Sequence, residues 1–191
     1  MDPLNLHNYW RKLSFITNNL VLSGDLEHPG SESTEKQLEH WVNSGITCII
    51  DVRCEGNDKE YVTKRYPHIG YHHIGTHDNG SKQPREWFDS GVKVSEKVLN
   101  GTDNPKILVH CHMGINRAPS MMYAILLNQR IDCVKALDMI RSERPIARIL
   151  YASDALEWWA ERTGIDTDRH LRQQVAALQW FKDNPIPATE V

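Results

Sequence analysis

The stretch "KILVHCHMGINRAPSMMYAILL", residues 106–127, sets the interpretation of the whole chain. Its first five residues are apolar enough to predict a buried strand, which runs straight into Cys111. A short loop containing Gly114 follows, and a helix is predicted to begin near Arg117. Pro119 suits the first turn of that helix, because a missing N–H costs nothing there.

The loop between Cys111 and Arg117 has the features of an anion site. A loop over a helix N-terminus directs several backbone N–H groups inward, and Gly114 lets the backbone curve tightly. The guanidinium of Arg117 adds a planar fork of donors that matches two phosphate oxygens. The residues expected to bind phosphate are His112, Met113, Gly114, Ile115, Asn116 and Arg117.

Cys111 is predicted to be the nucleophile of this site. A thiol that faces a helix N-terminus and an arginine is shifted toward the reactive thiolate. The cradle would also hold the oxygens of a phosphoryl group during transfer. Two other interpretations are open: a buried structural thiol, and a metal site made from the "HCH" and "YHH" histidines and cysteine. Contiguous His-Cys-His does not readily close a tetrahedral site, so we expect no metal and no other cofactor.

The segment "HCHMGINR" resembles the His-Cys-x-x-Gly-x-x-Arg signature of the protein tyrosine phosphatase superfamily, and its surroundings resemble the dual-specificity branch. The resemblance extends from about residue 20 to about residue 156, and includes "NLVLSG", "SGITCIIDV" and "RSERP". It implies a phosphocysteine intermediate, and an orienting role for His110 through hydrogen bonds. Ala118 departs from the pattern, since the family usually has Ser or Thr there to stabilise the departing thiolate. Ser120 is expected to point elsewhere on the helix.

The resemblance also implies an aspartic acid some thirty residues before the cysteine as the general acid. Asp78 fits, because it follows a predicted strand, lies in the loop "THDNGSKQ" and precedes a helix. Asp89 is the second candidate, although it falls within the predicted helix. An ordinary turn role for Asp78 is the alternative. His77 and His112 either line the mouth of the pocket or are simply exposed. Asp51 and Arg53 are expected to form a structural ion pair.

Strands alternate with helices along the chain, which predicts an α/β fold with a central, mostly parallel mixed sheet flanked by helices. Predicted strands cover residues 20–23, 46–52, 69–75 and 106–110. One predicted helix follows a capping box formed by Thr34 and Gln37. Further helices are predicted to cover residues 84–100, 117–130 and 132–143, and two more follow Leu150. Active sites of such sheets lie beyond the carboxyl ends of the strands, where Cys111 stands.

The bulk properties fit one catalytic domain. The chain has 191 residues, a net charge of -3 and four cysteines without close paired spacing. These features favour a cytoplasmic protein with reduced thiols and do not suggest a membrane or nucleic acid as a partner. We expect residues 1–160 to form the phosphatase domain and 161–191 a helical extension packed on it. Leu171, Val175 and Leu178 share a helical stripe that is expected to face the domain, with a partner surface as the alternative. Trp158 and Trp159 are expected in the core.

The sequence therefore predicts a phosphatase that acts on phosphotyrosine, with phosphoserine and phosphothreonine as further substrates, in a phosphorylated protein partner. One alternative is a phosphate-binding pseudophosphatase with slow or no turnover, which Ala118 makes credible. Another is the same chemistry on RNA 5′-triphosphate or inositol phosphate. The absence of lysine from "HMGIN" weighs against an inositol lipid.

Overall fold

The computed structural model describes residues 4–5, 10–28, 30–101, 103–186 and 189–190. The strands are β1 (Leu4–Asn5), β2 (Ser14–Phe15), β3 (Leu20–Ser23), β4 (Cys48–Arg53), β5 (Gly70–Thr76), β6 (Ile107–His110) and β7 (Thr189–Glu190). The helices of these ranges are α1 (Glu32–Asn43), α2 (Lys59–Arg65), α3 (Arg85–Gly101), α4 (Arg117–Asn128), α5 (Cys133–Glu143), α6 (Ala152–Thr163) and α7 (Thr167–Asp183).

A five-stranded sheet lies at the centre, in the order β2-β3-β6-β4-β5. Only β2 is antiparallel to its neighbour, while β3, β6, β4 and β5 are mutually parallel. The predicted α/β fold with a mostly parallel mixed sheet is confirmed. Strands β1 and β7 form a separate parallel pair of two residues each. Neither this pair nor β2 was predicted, because two-residue strands carry too short a pattern to recognise.

Alternating side chains of the inner strands divide the core into two layers. Val21, Ile49 and Leu108 face α1 and α2, whose contributions include Trp41 and Val62. The opposite face of the sheet packs against the other helices and includes these residues: Leu20, Leu22, Ile50, Val52, Ile107, Val109, Phe88, Tyr123 and Trp158. With both faces covered, the strands are almost continuously apolar, as buried parallel strands are.

The parallel strands bring their carboxyl ends to one edge of the sheet. Ser23 and Asp51 both pair with His110 at that edge, and Arg53 pairs with Thr76. The loops that follow β3, β4, β5 and β6 therefore meet at this edge, where ligands of such sheets bind.

The start of α1 differs from the prediction. Its N-cap is Ser31, whose hydroxyl accepts a hydrogen bond from the N–H of Thr34, so the helix begins before the predicted capping box. The side chain of Gln37 binds the backbone of Asp25 and Glu27 instead of the helix terminus. By contrast, Asp132 caps α5 as expected, by accepting from the N–H groups of residues 134 and 135.

The C-terminal helix α7 packs against α5 and α6 through a different face from the one expected. Leu171, Val175 and Leu178 are 60%, 58% and 59% exposed, so the prediction that they face the domain is wrong. Ala177 and Trp180 are buried in their place, and the Trp180 indole donates to Asp138 Oδ1 at 2.5 Å. The large indole, a few positions from the apolar stripe, decides which side of the helix is buried.

Two other expectations concern Trp residues and membranes. Trp158 and Trp159 are 1% and 5% exposed, which confirms that they belong to the core. Across the ranges that the structure describes, none of the helices combines the length and the apolar content that crossing a bilayer requires.

Candidate active site

Cys111 lies at the carboxyl end of β6 and begins the loop that leads into α4. Its side chain is buried, at 2% exposure, below a loop of residues 112–116. Gly114 has φ +63, in the left-handed region that only glycine adopts freely. A Cβ on Gly114 would lie 2.4 Å from the Ser23 carbonyl oxygen and from an Arg144 nitrogen. The tight curvature predicted for this glycine is therefore confirmed.

All five carbonyl groups of residues 112–116 accept hydrogen bonds from outside the loop. The donors are the N–H of Asp25 and the Trp10 indole for His112, Arg144 for Met113 and Gly114, the N–H of Arg148 for Ile115, and the N–H of Ser120 for Asn116. In a trans peptide unit the N–H points opposite to the C=O. The N–H groups of residues 113–116 therefore point to the inside of the loop, and none has a partner among the described residues. The loop thus presents a ring of donors suited to an anion.

Arg144 holds this loop from beneath. It is fully buried, donates from Nη2 to the Met113 carbonyl at 2.9 Å and from Nε to the Gly114 carbonyl at 2.5 Å. Its guanidinium also binds the carbonyl groups of Trp10 and Lys12, so it joins the N-terminal segment to the loop. The resemblance of "RSERP" drew attention to this segment, but it did not reveal that Arg144 anchors the loop.

Arg117, the first residue of α4, is clamped along one edge of its guanidinium. Nη1 donates to Glu55 Oε2 at 2.6 Å and to the Thr76 carbonyl at 3.1 Å, and Nη2 donates to Glu55 Oε1 at 2.7 Å. The hydrogen bonds from Arg117 lower the pKa of Glu55 to about 2, so the carboxylate is ionised at neutral pH. Nε is buried without a hydrogen-bond partner in the described residues. The Nε and Nη2 edge of the fork is therefore open, with a geometry that suits two oxygens of an anion.

Glu55 was not predicted as a site residue. It lies in the loop that follows β4, about half exposed, and nothing in the local pattern "CEGND" distinguishes it from a solvent-facing glutamate. Only the parallel arrangement of β4 and β6 brings the ends of these two strands together.

Asp78 lies beside Arg117 and Asn116. Its Oδ2 is 3.6 Å from Arg117 Nε, while its Oδ1 accepts from Asn116 Nδ2 at 2.5 Å and from the Tyr151 hydroxyl at 2.9 Å. Asp89, the second candidate, lies on α3 and accepts hydrogen bonds from Trp158 and Arg162. The structure thus brings Asp78, and not Asp89, together with Arg117 and the loop after Cys111.

The hydrogen bond expected from His110 to the loop is absent from the described part of the chain. His110 is fully buried, neither of its ring nitrogens has a hydrogen-bond partner, and Nε2 lies 3.8 Å from Asp51 Oδ1. Burial lowers the pKa of His110, which favours the neutral ring. The ring packs on Trp41, with 5.6 Å between ring centroids. In this structure His110 therefore packs on Trp41, without the hydrogen bond that the resemblance implied among the described residues.

The predicted ion pair of Asp51 and Arg53 is present, and it excludes a simple metal site nearby. Arg53 Nη2 donates to Asp51 Oδ2 at 2.8 Å and to Asp58 Oδ2 at 2.6 Å. Asp51, Asp58 and His110 are residue types that bind metals, and their ligand atoms lie within 4.8 Å of one another. The positive guanidinium already bridges the two carboxylates and would repel a second cation. We therefore assign no metal to this cluster.

The remaining predicted residues lie around the loop. His112 is about half exposed and its Nδ1 is 2.8 Å from Asp25 Oδ2. The exposed His77 lies with its Nδ1 3.2 Å from the Cys54 sulfur. Ala118 is fully buried at the start of α4, and the Ser120 hydroxyl accepts from the Tyr151 N–H at 3.3 Å. Ser120 is thus turned toward the segment before α6, as expected.

Comparisons with known proteins agree with this arrangement. The family model "Dual specificity phosphatase, catalytic domain" matches residues 29–152, well over half of the chain. Among similar solved structures, Tk-PTP in its active form has a TM-score of 0.63 and 21% identity, and covers 80% of this chain and 99% of its own. Human DUSP28 has a TM-score of 0.63 and 17% identity, with 85% and 99% covered. PTPMT1 in complex with PI(5)P has a TM-score of 0.63 and 17% identity, with 78% and 95% covered.

At these identities the solved structures establish the fold, whereas the family model establishes the family. The matched residues include β4, β5, β6 and the loops with Glu55, Asp78 and Cys111. The chain belongs to the dual specificity phosphatase family and is a cysteine-dependent phosphatase.

Proposed function

We propose that this phosphatase hydrolyses phosphotyrosine in proteins through a phosphocysteine on Cys111. The observation that carries the proposal is the loop of residues 112–116, whose five carbonyl groups are bound from outside and whose N–H groups face inward. Such a ring of donors, together with the free edge of Arg117, matches the three terminal oxygens of a phosphoryl group.

In the first step the Cys111 thiolate attacks phosphorus, and the bond from phosphorus to the tyrosine oxygen breaks. The leaving oxygen takes a proton from Asp78, so that tyrosine departs as a neutral phenol. The position of Asp78 supports this role, because its Oδ2 lies 3.6 Å from Arg117 Nε, beside the open edge of the guanidinium. Charge that develops on the phosphoryl oxygens is held by Arg117 and the loop N–H groups.

In the second step a water molecule attacks the phosphocysteine and gives its proton to Asp78, and the Cys111 thiolate leaves. Inorganic phosphate is released, and both residues return to their starting protonation states. The buried methyl of Ala118 supplies no hydroxyl donor to the departing thiolate, so the N-terminus of α4 and the loop N–H groups must stabilise it. This step is therefore the slower of the two in our proposal.

The choice of a protein substrate rests on the lack of lysine in residues 112–116 and on the net charge of -3, which do not favour polyphosphorylated lipids or RNA. The four cysteines are free thiols, which fits a reducing, cytoplasmic location. We place the phosphatase domain at residues 1–160 and treat 161–191 as a helical extension that packs on it. The buried Trp180 of α7 supports this packing.

The proposal is tested with a panel of substrates at equal concentration: phosphotyrosyl, phosphoseryl and phosphothreonyl peptides, an inositol phosphate and 5′-triphosphate RNA. Phosphate release from the phosphotyrosyl peptide should be fastest and should disappear in Cys111→Ser. Faster release from the RNA or the inositol phosphate would overturn the proposed substrate. Phosphate binding without release from any substrate would instead identify a binding module.

A further inference from the structure

The carboxyl group of Asp78 has two oxygens in different surroundings. Oδ1 accepts from Asn116 Nδ2 at 2.5 Å and from the Tyr151 hydroxyl at 2.9 Å. Oδ2 receives no hydrogen bond from the described residues and lies 3.6 Å from Arg117 Nε. Two donors fill Oδ1, and a carboxylic acid proton placed there would meet the hydrogens of both. When Asp78 is protonated, the proton must therefore be on Oδ2, the oxygen that faces the phosphate site.

The donor from Asn116 has a fixed direction. Asn116 Oδ1 accepts from the N–H of Leu150 at 2.6 Å, and its Nδ2 donates to Asp78. Rotating the amide by half a turn would place two acceptors together at Asp78 and two donors together at Leu150. The backbone of residue 150 thus selects the amide orientation that gives Asp78 a donor.

The donor from Tyr151 is fixed as well. The phenol accepts from the Gly80 N–H at 3.2 Å, and its own hydrogen is directed to Asp78 Oδ1 at 2.9 Å, which is much nearer than the other acceptor, the His77 carbonyl at 3.5 Å. The residue is 2% exposed, and its ring lies edge-on to Trp87 with 6.5 Å between centroids. Burial, assisted by the carboxylate of Asp78, raises the pKa of Tyr151, so the phenol keeps its proton. Tyr151 contacts both Asp78 and Gly80, and it therefore holds the loop that contains these two residues at two points.

We propose that Asn116 and Tyr151 are positioning residues for the general acid, and that they assign the transferable proton to Asp78 Oδ2. This inference rests on the proposed function, because it takes Asp78 as the acid. It gives the side chains of Asn116 and Tyr151 roles in the first chemical step, in which they act through Asp78. It also gives a structural reason for asparagine at the position before Arg117.

Tyr151→Phe is the sharpest test, since it removes one buried oxygen and keeps the ring. For an aryl phosphate with a poor leaving group, such as phenyl phosphate, we expect kcat/KM to fall about tenfold, a part of what general acid catalysis contributes. A fluorinated aryl phosphate with a good leaving group should lose much less. Tyr123→Phe is the matched control, because the Tyr123 hydroxyl is also buried and has no partner in the described residues.

A double-mutant cycle with Asp78→Asn separates positioning from a general structural effect. In the Asp78→Asn protein, adding Tyr151→Phe should cause no further loss on either substrate, because there is no acid left to position. The inference would be overturned if Tyr151→Phe caused equal losses on both substrates. It would also be overturned if Tyr151→Phe caused the same loss in the Asp78→Asn protein as in wild type. Wild-type kinetics in Tyr151→Phe would overturn it as well.

The same cycle distinguishes this inference from the proposed function. If Asp78→Asn alone lost kcat/KM equally on both leaving groups, Asp78 would not be the acid and the proposal on which the inference rests would fail. If Asp78→Asn behaved as expected and Tyr151→Phe did not, only the positioning role would be wrong. Asn116→Ala should show the same dependence on the leaving group as Tyr151→Phe, and its failure to do so would remove Asn116 from the inference.

Discussion

Arg117 and Glu55 form a two-point ion pair at the mouth of the phosphate loop, with nitrogen–oxygen distances of 2.6 Å and 2.7 Å. The pair uses the outer edge of the guanidinium and leaves open the inner edge, which in our proposal binds the substrate phosphate. A carboxylate so near an anion site repels the incoming phosphate, yet it also fixes the fork in one orientation. Glu55 therefore weakens the electrostatic attraction of phosphate, but it preorganises the Arg117 guanidinium as a donor.

The ion pair predicts that wild type and Glu55→Gln differ in thermal stability, and that this difference depends on pH. The pKa of Glu55 falls from 4.5 to about 2 in the folded protein, because Arg117 binds the charged form. The stabilisation is fully present above the unfolded pKa and is lost as pH falls toward 2. An ion pair this exposed contributes at most about 1 kcal/mol. Thermal unfolding at pH 7 should show Glu55→Gln lower in Tm by about 1–3 °C.

The difference in Tm should shrink between pH 4.5 and pH 2, the window set by the two pKa values of Glu55. Glu39→Gln, at an exposed position of α1, provides the control and should match wild type throughout. A difference that stayed constant down to the lowest pH at which the protein folds would show that Glu55 does not act through its charge.

Asp78→Asn should slow hydrolysis of esters with poor leaving groups by about 10²–10⁴-fold, because the leaving oxygen then receives no proton. Esters with good leaving groups need no proton and should lose much less. Values of kcat/KM, which report the first chemical step and not the slower second step, measure the contrast between phosphotyrosine and a fluorinated aryl phosphate. Asp89→Asn serves as the comparison, since Asp89 binds Trp158 and Arg162 away from the cleft, and should leave the contrast unchanged. If Asp89→Asn, and not Asp78→Asn, slowed only the esters with poor leaving groups, Asp89 would be the general acid.

Ala118→Ser should speed the second half-reaction. A hydrogen bond to a charged group contributes roughly 1.5–3 kcal/mol, which corresponds to about ten- to a hundredfold in rate if all of it acts in the transition state. Wild type should therefore show a burst of one product equivalent in rapid mixing with an aryl phosphate. The variant should show a smaller burst and a faster steady state. No burst in wild type, with an unchanged rate in the variant, would mean that the loop already stabilises the thiolate fully.

Gly114→Ala should destroy phosphate binding. The new Cβ would lie 2.4 Å from Ser23 and Arg144 atoms, so the loop would have to open. Gly164→Ala is a matched control, because Gly164 has a similar φ of +65 and nothing within 4 Å of the added carbon. Both changes should cost about 1–2 kcal/mol of backbone strain in denaturant unfolding, and Gly114→Ala should be destabilised further by the clash with Ser23 and Arg144. Only Gly114→Ala should lose binding of a phosphate analogue by calorimetry, and equal binding by both variants would contradict the proposed cradle.

The sequence predicted those parts of the site that lie close together in the chain. Cys111, Gly114 and Arg117 are within seven residues, so their spacing alone indicates a loop around an anion. Asp78 needed the family resemblance, since an Asp-Asn-Gly loop is also an ordinary turn. The main fold followed from alternating apolar strands and helices.

Glu55, Arg144 and Tyr151 were missed for a common reason. Each contacts the site across 30 or more positions of the chain, and such contacts depend on strand order and helix packing. The side chain of Arg144, fully buried near the C-terminal end of α5, has no local signal that it binds the loop carbonyls. The orientation of α7 was mispredicted for a similar reason. The apolar stripe of Leu171, Val175 and Leu178 is exposed, because Trp180 on another face of the helix is buried against the domain.

The most direct test of the account is to look for phosphate on Cys111. Wild-type protein mixed with a ³²P-labelled aryl phosphate and quenched in acid within milliseconds should carry label, and peptide mapping should place it on the peptide that contains Cys111. Cys111→Ala should carry none, while Cys54→Ser, which alters an exposed thiol, should label as wild type does. Hydrolysis by Cys111→Ala at the wild-type rate, or label on another residue of the wild-type protein, would contradict the proposed mechanism.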